Sequence, residues 1–119
     1  SDRRLGAARM RREVVASIFD ELPEALPDEQ FIALLESDDV TIERIVSTGQ
    51  ATPDGEWLVQ DKHEWVLLVS GGATLSFEGE TSTTVMAAGD YLTIPAGTRH
   101  RVDRTIEGEP TIWLAVHYT

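Results

Sequence analysis

The sequence predicts an all-β protein, an antiparallel sandwich or barrel, and two observations carry that prediction. From Val40 onward the chain falls into short runs rich in β-branched and aromatic residues: VTIERIVS, EWVLLVS, ATLSF, YLTIP and TIWLAVHY. Turn clusters separate them, TPDGE, SGG, EGE, AAGD and PAG, the punctuation expected of closely spaced strands. No helical periodicity falls between these runs, which excludes a parallel sheet built on crossover helices.

Ahead of the strands, two short helices are expected. Val14, Val15, Ile18, Phe19 and Leu22 recur at three- and four-residue spacing, which predicts an amphipathic helix over Met10 to Leu22 that Pro23 ends. Asp28 is placed to cap a second helix from Asp28 to Glu36, with Phe31, Leu34 and Leu35 on one face. The organisation that follows is a basic N-terminal arm and helix start over 1–17, then one domain over 18–119. Among the strands, Ala73, Leu75 and Phe77 alternate with Thr74, Ser76 and Glu78, so one face is apolar and the other wet. Trp65 to Val69 is apolar on both faces. Such a strand needs cover beyond its own sandwich, from a helix or a second subunit, and because the N-terminal helix is too short to cover a whole sheet a homodimer is expected.

Composition narrows the function classes. A chain of 119 residues with 41% hydrophobic residues suits one domain with a core of its own. It has no cysteine, which excludes disulfide scaffolds, thiolate metal sites and cysteine nucleophiles. Residues 1–12 hold five arginines against one aspartate, a balance of +4, and the remaining chain carries −15. An acidic body repels phosphate backbones, so no nucleic-acid partner is expected. The arm touches an anionic partner, or is a frayed terminus, or packs on an acidic face of its own or a neighbouring subunit. No apolar run reaches the roughly 18 residues of a spanning helix, so the expectation is a cytoplasmic protein with no membrane partner.

One stretch carries chemistry. Residues 89–100 read GDYLTIPAGTRH, in which Gly89 is followed by Pro95, Gly97 and His100. Gly89 and Asp90 turn into a strand, Pro95 to Gly97 form a tight corner, and His100 opens the next strand. This spacing resembles the second conserved motif of the cupin superfamily, GxxxxxPxGxxHxxxN, with Arg104 at the place of the terminal Asn. The first cupin motif is matched only in its second half, by Glu64 and Gly71; its two histidine positions fall on Leu58 and Gln60. Together with Trp57, Trp65 and the ending WLAVHY, the chain is similar to small stand-alone cupins over about residues 40–119.

The resemblance implies a jelly-roll barrel of the RmlC-like type, also called a double-stranded β-helix, with a pocket inside and often a divalent metal, Zn, Fe, Ni or Mn. It implies Glu64 and His100 as metal ligands, with Gln60 a weaker third. His63 and His117 are further candidates, His63 only if a bulge turns it the same way as its neighbour Glu64, and His117 if its strand parity is inward. Trp57 and Trp113 are candidates for the pocket wall, with core or interface packing as the alternative. Two functions stay open at this stage: a metal-dependent enzyme, or a non-catalytic cupin that binds a small molecule with Glu64 and His100 as polar anchors. The missing first-motif histidines favour binding or weak metal use over demanding oxygen chemistry.

Overall fold

A computed structural model describes residues 15–119. The alternating runs become eight antiparallel strands: β1 (Gln30–Glu36), β2 (Val40–Ser47), β3 (His63–Ser70), β4 (Gly72–Phe77), β5 (Thr84–Ala87), β6 (Tyr91–Ile94), β7 (His100–Thr105) and β8 (Thr111–Tyr118). A five-stranded sheet has the order β1-β2-β8-β3-β6, and a three-stranded sheet the order β5-β4-β7. Each sheet has an apolar inner face, and the two close over a shared core as a jelly roll. Val66 and Leu68 of β3, Trp113 and Ala115 of β8, Ala73 and Leu75 of β4, Met86 and Ile94 form that core.

Strand parity sorts every side chain. On β3, Glu64, Val66 and Leu68 are buried while Trp65 and Leu67 are only half-buried. The alternation expected of Ala73 and Leu75 against Thr74 and Ser76 is present on β4.

Among the described residues no helix forms. The basic arm and the start of the first expected helix, through Val14, lie outside the described residues. Its remainder is a turn over Ile18 to Glu21. The Ser17 N–H donates to the Asp20 carboxylate at 3.0 Å, and Glu21 sits at φ 50°. A local carboxylate acceptor and a left-handed residue both compete with helix propagation. The carbonyls of Ile18 and Asp20 instead accept from the Arg44 guanidinium, at 3.2 and 2.6 Å. Arg44 lies 4% exposed on β2 and also donates to Gln30 Oε1 at 2.8 Å, pinning the N-terminal segment across the sheet.

The second expected helix, Asp28 to Glu36, is a strand from Gln30 onward, at the sheet edge. Its pairing with β2 shifts register between Ala33 and Leu35, a bulge. The extra residue breaks the period of two, and the apolar spacing left behind imitates helical spacing. Backbone pairing with β2 supplies hydrogen bonds that an isolated short helix lacks a packed face to secure.

Gly71 joins β3 to β4 at φ +97°. A Cβ there would lie 2.6 Å from the Thr111 Cα, inside any allowed contact. Thr111 is fully buried, and its Oγ1 stands 3.3 Å from both the Gly72 N–H and the Gly72 carbonyl oxygen, so it has little room to yield. Gly71→Ala should therefore destabilise the fold by about 2–4 kcal/mol, measured by denaturant unfolding. Gly55→Ala, where a Cβ meets nothing within 4 Å, should cost only the left-handed strain of about 1–2 kcal/mol. Equal losses at the two positions would remove the Thr111 contact as the cause.

Candidate functional site

The space between the sheets is not filled at one end. A cavity of about 300 Å³ opens there. Its wall is largely apolar, from Leu58, Val59, Val66, Leu75, Ile94, Val102 and Trp113, with Phe31 and Ile45 on the β1 and β2 side. Into this wall project Gln60, Glu64, His100, His117, Glu43 and Glu29.

Register explains the grouping. Glu64 on β3 stands directly opposite His117 on β8 and Ile94 on β6, and all three occupy inner positions. Side chains so paired have Cβ atoms only about 5 Å apart. One strand over, Glu43 also points inward, because Arg44 takes the outer position, and its Oε1 lies 3.1 Å from His117 Nε2. His100 begins β7 and so enters from the opposite sheet. The segment before β3 is held to it by an isolated bridge, in which the Leu58 N–H donates to the His100 carbonyl at 2.6 Å and the His100 N–H to the Leu58 carbonyl at 3.0 Å. The Pro95–Gly97 corner adds a third tie, Gly97 N–H to the Gln60 carbonyl at 2.8 Å.

These backbone ties deliver Gln60 to Glu64. The Gln60 amide Nε2 donates to Glu64 Oε1 at 2.6 Å, and Glu64 is 8% exposed. His100 is 4% exposed, with its Nδ1 3.0 Å from the Thr98 carbonyl. A carbonyl only accepts, so Nδ1 carries the hydrogen and, in the neutral ring, Nε2 is left as an acceptor. On the other side of the cavity the Trp113 indole N–H donates to Ser47 Oγ at 3.1 Å, and the Ser47 hydroxyl donates to the Glu29 carboxylate.

Gln60, Glu64, His100, His117 and Trp113 are thus brought together. His63 is not. Its parity is that of Trp65, on the outer face, where its Nδ1 accepts the Ala96 N–H at 3.0 Å and its ring lies 5.2 Å from Tyr118. No bulge intervenes at β3's start to turn it inward beside Glu64. Trp57 is half-buried in the loop and does not line the cavity, although the loop is tied to β7 on both sides of it, Thr52 and Glu56 to Val102 and Arg101 before it and Leu58 to His100 after it. Sequence reasoning did not single out Glu43 or Glu29. Glu43 had a signal, since it alternates with Ile42 and Arg44 in VTIERIVS; Glu29 had none, lying inside the segment read as a helix.

Among the described residues no three His, Asp or Glu side chains converge as a metal centre requires. Glu64 and His100 are good donors, but the third position is an amide that turns its N–H to Glu64, and the fourth is the hydrocarbon of Leu58. These residues do not fit a complete metal centre.

Comparison with known proteins places this geometry. A family profile described as a cupin domain matches residues 45–117. A solved structure from Ralstonia eutropha JMP134, described as a candidate mannose-6-phosphate isomerase, is 48% identical over 88% of this chain and 97% of its own, with a TM-score of 0.85. An RmlC-like cupin from Desulfovibrio desulfuricans is 15% identical over 88% of this chain and 95% of its own, with a TM-score of 0.70. Another, from Methanocaldococcus jannaschii, has a double-stranded β-helix fold and is 16% identical over 82% and 86%, with a TM-score of 0.64. The last two speak to fold alone. No curated protein matches the chain.

Proposed function

The chain belongs to the cupin family, and we propose that it binds a small organic molecule in the barrel cavity, with Glu64, Gln60 and His100 as polar anchors. The observation that carries this reading is the meeting of a nine-tenths buried carboxylate and imidazole in one apolar-walled cavity of about 300 Å³. A mostly apolar concavity with a few convergent polar groups is the usual form of a small-molecule site. Fragment screening followed by amide and side-chain NMR mapping is expected to give shifts grouped at Gln60, Glu64, His100 and the Trp113 indole. Shifts confined to the outer sheet face, or none at all, would overturn the proposal.

Glu64 and His100 together offer a cation one carboxylate and one imidazole. Gln60→His would replace a neutral amide by an imidazole beside Glu64. Zinc or nickel affinity measured by calorimetry should then rise about tenfold or more, because imidazole is the better ligand for these ions. Equal affinities in the two proteins would remove residue 60 from any metal role.

The relative described as a candidate mannose-6-phosphate isomerase raises a sugar-phosphate substrate as a second reading. Against it, the described residues lining the cavity include three glutamates and neither lysine nor arginine, and phosphate recognition ordinarily relies on such cations.

We further propose that a second copy of the chain covers the outer face of the five-stranded sheet. Trp65 and Leu67 are joined there by Ile42, Leu114 and Val116 from adjacent strands, all only half-buried. The chain joins a +4 stretch over residues 1–12 to a −15 remainder, opposite charges through which two copies can attract one another. Light scattering should report a dimer at micromolar concentration, with more than about 1,000 Å² buried in total. Trp65→Asp should give a folded monomer, whereas a monomeric wild type would refute the arrangement.

A further inference from the structure

Resting on the reading of the cavity as a small-molecule site, we infer that its ligand is an organic amine, and that phosphorylated and carboxylated compounds are excluded. Each donor-bearing side chain on the described wall has a described partner, Gln60 Nε2 to Glu64, His100 Nδ1 to the Thr98 carbonyl, His117 Nε2 to Glu43, and the Trp113 indole N–H to Ser47, which leaves the second N–H of the Gln60 amide as the one spare donor among these four groups. What otherwise faces the cavity is acceptor capacity. Glu64, Glu43 and Glu29 each take one described hydrogen bond, and a carboxylate has about four acceptor positions. His100, 4% exposed, adds Nε2, which has no hydrogen-bond partner among the described residues.

A ligand that satisfies this wall has to bring donors. An ammonium group brings three and a positive charge, while the hydrocarbon attached to it packs on Leu58, Val66 and Ile94. Phosphate and carboxylate bring acceptors and negative charge into a half-desolvated space with three glutamates, where screening by solvent is weakest. An alcohol stands between, a donor without the charge.

Calorimetry on the full chain in 150 mM salt, a buffer choice that damps attraction to the acidic surface as a whole, tests this with four probes: benzylamine, benzyl alcohol, benzoate and mannose 6-phosphate. Benzylamine should bind at least tenfold more tightly than benzyl alcohol, and the two anions should give no heat. Glu64→Gln and Glu43→Gln, which keep shape and remove charge, should each reduce the preference for the amine over the alcohol at least threefold. Binding of benzoate or the sugar phosphate as tightly as the amine overturns the amine inference and leaves the cavity reading standing. An amine preference that neither variant alters also overturns it, by assigning the effect to the general acidity of the chain. If none of the four shifts the Trp113 indole resonance, both the inference and the cavity reading fall.

Discussion

Two backbone hydrogen bonds between Leu58 and His100 govern the functional end of this barrel. They bind an irregular segment to the first residue of β7, and with the Gly97 to Gln60 tie they leave residues 58–60 little freedom. Sheet register brings in Glu64, Glu43 and His117, and the clamp adds the rest of the polar end. It sets Gln60 beside Glu64, sets the Leu58 side chain where the cupin resemblance would place a histidine, and starts β7 in the register that turns His100 inward. Because the bonds are backbone to backbone, they survive changes of side chain, so the same scaffold holds an amide and a leucine here as readily as it would hold imidazoles.

The strands between Val40 and Tyr118 are legible as short runs of β-branched and aromatic residues broken by Gly, Pro and Asp. The corner at Pro95 to Gly97 was legible because few residues can make it. What could not be read was anything set by pairing between distant segments. The bulge in β1 disguised an edge strand as a helix, since a single extra residue turns spacing of two into spacing of three. Glu64 and His63 are neighbours in the chain and lie on opposite faces, as alternation requires, while the inward parity of His117 needed the register with β3 that no local pattern contains. Glu43 entered the site by the same register, and Glu29 through its contact with Ser47.

The structure also uses a charge in an unusual place. Arg44 is nearly fully buried on the outer side of β2, and its guanidinium donates to the Ile18 and Asp20 carbonyls and the Gln30 amide oxygen, while its Nε has no hydrogen-bond partner among the described atoms. Neutral acceptors hold it at a cost in solvation that a hydrophobic residue would avoid. The return is geometric: a planar fork that reaches two carbonyls and an amide fixes a segment with no regular secondary structure to a sheet.

The same bulge in β1 has a meaning for how the protein behaves in crowded solution. Among the described residues the strand is one of the two edges of the five-stranded sheet, and Phe31, Ile32, Leu34 and Leu35 are each at least 40% exposed along it. A straight margin of that composition would template the next chain's strand and grow into fibrils. The register shift between Ala33 and Leu35 interrupts the ladder after four paired residues, so an incoming strand finds no long run of evenly spaced backbone groups to copy. An irregularity that hid the strand in the sequence therefore also serves as protection against open-ended polymerisation.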